Sequence, residues 1–169
     1  MINANSNITI NAEIQKVWYF LEDFSIGLSY NRFHKEIRIE KSYSIDCEQN
    51  IIIKHNFGFG DIDMNLKVKE LLYPNKIIIS EKKINKDLKS FDHVSTFEII
   101  KHGDLSILDY TVEGTFGNKV ADLSFLPILK AVIIEELSKI KKAIESSEDT
   151  IQAFKNKQYN PVYTSLQFI

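Results

Sequence analysis

The chain has 169 residues, 44% of them hydrophobic and 26% charged, with a formal net charge of −2; this describes one globular domain and excludes a disordered, collagenous or coiled-coil chain. The balanced charge, with a pI of about 6.1, excludes the clustered cations that nucleic acid or an anionic membrane surface requires. The 26 Ile, 11 Phe and 7 Tyr beside only six Gly and three Pro favour strands and leave few breakers.

In chain order, Ile8 to Asn11 alternates apolar and polar and predicts a short strand. From Ala12 the period changes: Ile14, Val17, Trp18 and Leu21 recur on one helical face, ending near Asp23-Phe24. A short helical or irregular piece from Ser25 to His34 leads into strand patterns. Ile37, Ile39, Tyr43 and Ile45 share one face, and the polar stretch Asp46 to Asn50 turns the chain. Ile51 to Phe57 follows, with Gly58 to Asp61 as a turn. Ile62, Met64, Leu66 and Val68 then alternate with polar residues, the sharpest strand signal present. Tyr73-Pro74-Asn75 reads as a turn, and strands are predicted from Ile77, over Phe91–Ile100 and over Ser106–Val112, with a tight hairpin at Lys101 to Asp104. Even spacing and short turns imply an antiparallel meander. Leu129, Ile133, Leu137, Ile140 and Ile144 form the stripe of a terminal helix of roughly twenty residues, with Pro127 expected in its first turn. Lys119 to Phe125 would form a kinked extension of it.

The lone Cys47 has no CxxC partner and no internal disulfide to form, which fits a reducing compartment. The first twelve residues carry no charged side chain and show no signal-peptide pattern, and no apolar run approaches the ~18–20 residues needed to cross a bilayer. The default expectation is a cytoplasmic protein without an integral membrane segment.

The opening ITINAEIQKVWYFLEDF resembles the start of SRPBCC or START-like proteins, the superfamily of pollen-allergen ligand carriers, polyketide cyclases and lipid-transfer domains. Ile8 and Ile10 match its first strand, Ala12 the beginning of the helix, Val17-Trp18 the usual Val-Trp pair and Asp23 the acidic helix end. The turn Leu71 to Pro74 and the helix Leu129 to Ile144 fit as well, so the resemblance spans about residues 7–145. The Pro that often precedes the first helix is Ala12 or Glu13 here, and the Trp-Pro after it is Tyr30-Asn31. The resemblance implies an α+β helix-grip fold: a curved antiparallel sheet of about seven strands around a long C-terminal helix, with two short helices after the first strand. It places one domain at residues 1–146 and a C-terminal extension at 147–169.

A strongly curved sheet closed by one helix encloses an apolar cavity in such a fold. Alternation places Ile53, His55, Phe57, Met64, Leu66, Phe97, Leu108 and Tyr110 inward, facing Leu129, Ile133 and Leu137. Tyr30 and His34 lie where the short helices would gate the entrance, although His34, among Arg32, Lys35 and Glu36, also reads as a surface residue. His55 sits on an apolar face, and an imidazole there either orients a ligand or acts as a general base; the competing reading is a core histidine bonded to a backbone carbonyl. His93 shares the face of Ser95 and could join a polar spot with Ser95 and Tyr110, or lie at the rim. His102 belongs to a polar turn. Glu136 borders the helical stripe, where pairing with Lys139, Lys141 or Lys142 is the ordinary expectation and a carboxyl edging into the cavity the alternative. The histidines are far apart in sequence, and no HxH, HExxH or Cys/His pairing appears, so neither a metal site nor a cofactor is expected. Gly58-Phe59-Gly60 joins strands and opens no helix, so it reads as a hairpin turn, and no GxSxG occurs.

The leading expectation is binding or transport of a hydrophobic small molecule: a lipid, isoprenoid or polyketide-like compound. One alternative is a polyketide cyclase or dehydratase type of enzyme with His55 and Tyr110 as acid and base. Another is a protein-interaction module. The apolar ending Val162 to Ile169 would dock on the domain, dock on a second copy as a homodimer, or simply fray.

Overall fold

The computed structural model describes residues 1–40, 50–58, 60–85 and 90–146. Seven strands form one antiparallel sheet: β1 (Ile2–Ile10), β2 (His34–Glu40), β3 (Asn50–Asn56), β4 (Asp61–Leu72), β5 (Lys76–Lys83), β6 (Asp92–His102) and β7 (Leu105–Thr115). Their order is β1-β7-β6-β5-β4-β3-β2, a meander in which only β1 is out of sequence. Between β1 and β2 lie α1 (Ile14–Glu22), α2 (Phe24–Gly27) and a 3-10 turn (Leu28–Tyr30), and α3 (Lys119–Ser146) follows β7. This is the expected curved sheet gripping a long helix. Tyr43, Ile45, Cys47, Phe59 and the segment Val162 to Ile169 lie outside the described residues.

The sheet begins earlier than its apolar signal. β1 starts at Ile2 because Asn3, Asn5 and Asn7, poor strand formers on average, all fall on the solvent side. There Asn3 donates to Glu113 at 2.7 Å, and Asn5 donates to Asp109 at 2.5 Å and Thr111 at 2.8 Å, all on β7. Ile2, Ala4 and Ile10 point into the core. The longer strand is thus an alternation whose polar half is amide rather than charge.

The helix α3 also begins earlier, at Lys119. Asn118 caps it by accepting from the Val120 and Ala121 amides. Asp122 in its first turn accepts from the Thr115 hydroxyl and the Phe116 amide, both at 2.8 Å. Pro127 consequently lies inside a continuous helix, contrary to the first-turn expectation. It sits on the exposed face, where the carbonyl it leaves unbonded can turn to water. The buried face carries Phe125, Leu129, Val132, Ile133, Glu136, Leu137, Ile140 and Ile144. The helix backbone runs closest to β1, so side chains span the wider gap over the central strands.

Two backbone details shape that gap. A bulge between His34 and Glu36 puts two residues of β2 opposite one step of β3 and turns His34 to the same face as His55. Gly114 on β7 lies opposite His93, and a Cβ there would stand 2.6 Å from the Asp92 carbonyl oxygen and 2.7 Å from side-chain atoms of His93 and Phe91. Backbone on one side and a packed ring on the other leave no room to yield. Gly114→Ala should therefore destabilise the protein by about 1–3 kcal/mol in urea unfolding, the usual cost of overpacking a core; an unchanged midpoint would show that the strands separate freely here.

Candidate functional site

Every residue assigned to the interior by alternation is buried, and Tyr30, expected at the entrance, is half-buried. Ile53, Met64, Leu66, Leu108, Ile133 and Leu137 form the apolar wall together with Ile77, Ile79 and Leu129. Phe97 stacks on Tyr110 with centroids 4.3 Å apart, and Tyr30 lies against Phe20 at 5.7 Å. Phe57 belongs to a box of rings with Phe33, Phe91, Phe116 and Phe125. Two hollows, of about 290 and 260 Å³, lie near the β4–β5 turn and beside the start of α1; neither is lined by any of the expected cavity residues.

The interior contains instead a polar cluster centred on Glu81, which alternation had not singled out. Glu81 lies two steps beyond Ile79 on the inward face of β5 and pairs in register with His93 of β6. His55 Nε2 donates to Glu81 Oε2 at 2.6 Å. His34 Nε2 lies 3.8 Å from the same oxygen, and His93 Nε2 lies 3.5 Å from Oε1. The side chains of His34, His55, His93 and Glu81 are 4%, 1%, 8% and 2% exposed, so His34 is not a surface residue and His93 is not a rim residue. The ring nitrogens facing away are held as well: His34 Nδ1 donates to the Leu28 carbonyl at 2.7 Å, and His93 Nδ1 to the Phe91 carbonyl at 2.8 Å. His55 stacks on Phe57 and His93 on Phe91, with centroids 5.0 and 5.1 Å apart. His55 Nδ1 has no hydrogen-bond partner among the described residues.

The electrostatics follow from burial and mutual charge. Burial disfavours an ionised Glu81, but the charges of His93 and His34 and the bonds from His55 and His93 outweigh it and hold the carboxyl well below the usual range. Burial also opposes a charged His93, yet its attraction to Glu81 raises it above the ordinary imidazole value. His34 loses the same contest: burial, with repulsion from His55 and His93, takes it down to about 4 against the pull of Glu81. The balance of burial and charge thus favours an ionised Glu81 and, among these imidazoles, a proton on His93 rather than on His34.

A second polar group lies beside it. Glu136 is only 1% exposed, so the expected lysine pairing does not occur; Lys139 pairs with Glu135 at 2.6 Å instead. Glu136 Oε2 accepts from the Asn31 amide at 2.9 Å, while Oε1 has no partner among the described residues. The Tyr110 hydroxyl close by lies 3.4 Å from Ser95 Oγ. Burial, reinforced by the Glu81 charge, pushes the Glu136 carboxyl well above the usual range. Burial, reinforced by Glu136, does the same to the Tyr110 hydroxyl. His55 and Tyr110 thus take different partners, and the acid–base pair expected for an enzyme is not formed between them.

A carboxyl whose folded-state pKa is raised adds stability in full below its unfolded value, near 4.5, and that contribution is lost as pH climbs towards the folded value. Glu136→Gln should remove this loss. In urea unfolding from about pH 4 to about pH 8, the variant should gain stability relative to the natural protein as pH rises; parallel curves would mean that the carboxyl is not held neutral.

No protein-family model matches the sequence, and no curated protein matches it significantly. Solved structures do match in shape. A conserved protein from Geobacillus kaustophilus superposes with a TM-score of 0.64 at 19% identity, over 85% of this chain and 95% of that one. A START superfamily protein from Mycobacterium smegmatis gives 0.60 at 14% identity, over 85% and 96%. DynU16, a protein of the dynemicin biosynthetic locus, gives 0.59 at 10% identity, over 86% of this chain and 48% of that one. With the strand order, the paired short helices and the gripping α3, these matches show that the chain has the START-like helix-grip fold.

Proposed function

We propose that the protein binds a small, largely apolar molecule carrying one polar end, between the concave face of the sheet and α3. The observation that supports this most directly is Glu136: a carboxyl buried in an apolar wall, with one oxygen bonded to Asn31 and the other without a partner among the described residues, in surroundings that push it towards its neutral form. Leaving a buried polar atom unpaired costs about 1–3 kcal/mol, which a guest hydroxyl or carbonyl would recover. Ile133 and Leu137 on α3 and Leu66, Phe97 and Leu108 on the sheet would contact the apolar body. Met64, unbranched and adaptable, would yield space among the packed side chains. The resemblance to ligand carriers and the helix-grip fold support the same reading, as does a structural neighbour from the dynemicin biosynthetic locus. Because His55 and Tyr110 engage Glu81 and Ser95 respectively, binding is favoured over acid–base catalysis by that pair.

Calorimetric titration with 1-naphthol and with naphthalene tests the proposal. Both should bind with one-to-one stoichiometry and a negative heat-capacity change. Glu136→Leu should weaken 1-naphthol by about tenfold, the equivalent of ~1.4 kcal/mol, while leaving naphthalene unaffected. Absence of saturable binding by either compound, together with no small molecule retained in native mass spectrometry, would overturn the reading.

A further inference from the structure

We infer that His34, His55 and Glu81, with His93 adjacent, form a binding site for one divalent first-row transition-metal ion. The inference does not depend on the small-molecule reading, because it rests on a different set of atoms.

The tautomers carry the argument. A carbonyl oxygen only accepts, so the bonds to Leu28 and Phe91 fix a proton on Nδ1 of His34 and of His93. Their Nε2 atoms are left aimed at the Glu81 carboxylate, 3.8 and 3.5 Å away. At His34, lowered to about 4, this leaves the Nε2 lone pair facing a buried carboxylate, which is repulsive unless a cation lies between them. His55 and His93 meet Glu81 through a proton that a metal ion would displace. An imidazole tied through its far nitrogen to a backbone carbonyl, with the near nitrogen free, is also the arrangement by which proteins orient histidine ligands.

The spacing suits a metal ion. The ligand atoms of His34, His55 and Glu81 all lie within 4.8 Å of one another. Metal–nitrogen and metal–oxygen bonds of roughly 2.0–2.1 Å imply ligand edges of about 3.3 Å in a tetrahedral site. Side-chain shifts of under about 1 Å would close the difference. Two imidazoles and one carboxylate, with a third imidazole 3.5 Å from the carboxylate, are borderline donors. They suit zinc, cobalt, iron or nickel rather than the all-oxygen shells of magnesium and calcium. The surrounding Phe57 and Phe91 rings hold two of the imidazoles by stacking, which limits the reorganisation that binding requires.

Cobalt(II) is the probe, added to full-length protein that has been stripped with a chelator. One equivalent should bind with visible d–d absorption of low-symmetry cobalt and be displaced by one equivalent of zinc. In the natural protein, paramagnetically shifted ring protons should belong to His34 and His55. Glu81→Gln and His55→Gln should each weaken cobalt binding by about 100-fold or more, whereas His102→Ala, outside the cluster, should leave it unchanged. The inference is overturned by the absence of stoichiometric binding, by shifted resonances confined to His102, or by folded cluster variants that retain the natural affinity. Should the cluster variants fail to fold, the ring-proton assignment in the natural protein decides the matter alone.

Discussion

A carboxylate in the middle of a protein is tolerable only if its neighbours replace the water it gave up. Glu81 is that carboxylate here, and the surrounding architecture is arranged to supply it. β3, β6 and the bulged start of β2 each contribute one imidazole to its two oxygens. The phenyl rings of Phe57 and Phe91 keep two of those imidazoles in place, and Gly114 provides the missing Cβ that lets Phe91 and His93 lie against β7. The field of Glu81 extends further, reinforcing the neutral state that burial imposes on Glu136.

The interior therefore contains two polar groups of opposite character within one apolar shell. Around Glu81, charge is concentrated and compensated by histidines. Around Glu136, charge is excluded and the polar atoms are neutral: a carboxylic acid, an amide, a phenol and a hydroxyl. Environment alone separates the two glutamates, since imidazoles surround one and a second carboxylate borders the other. A fold that places such groups side by side on its concave face can give a guest a polar anchor without exposing the anchor to water.

Much of this was legible in the sequence because the sheet alternates with period two over long stretches. Ile53, His55, Phe57 and Tyr110 were placed inside by counting, and they are inside. The same count would have placed Glu81 inward with Ile77 and Ile79, but the charged run Glu81-Lys82-Lys83 gave that residue the look of a strand end. His34 could not be counted, because the bulge at Lys35 reverses its side relative to Ile37 and Ile39. A bulge is decided by pairing across strands, not by local composition. Metal-ligand spacing rules detect donors within one turn or hairpin, so they pass over a cluster whose four members come from four different strands. Glu136 was misassigned because lysines at helical spacing lie nearby; in the structure Lys139 takes Glu135 and Lys141 takes Glu145.

The position of β2 has a consequence for how the cluster communicates with the outside. Among the described residues, β2 is the last strand of the sheet and is hydrogen-bonded along one side only, to β3, so it belongs to the part of the molecule whose local opening costs least. It carries His34, and the segment just before it carries Asn31, the bonding partner of Glu136. One fraying event at this border would withdraw a contact from both polar groups at once. Amide exchange along β2 is therefore a clock for the interior chemistry: the rate at which that border opens sets an upper limit on how quickly anything bound through His34 or Asn31 can come and go.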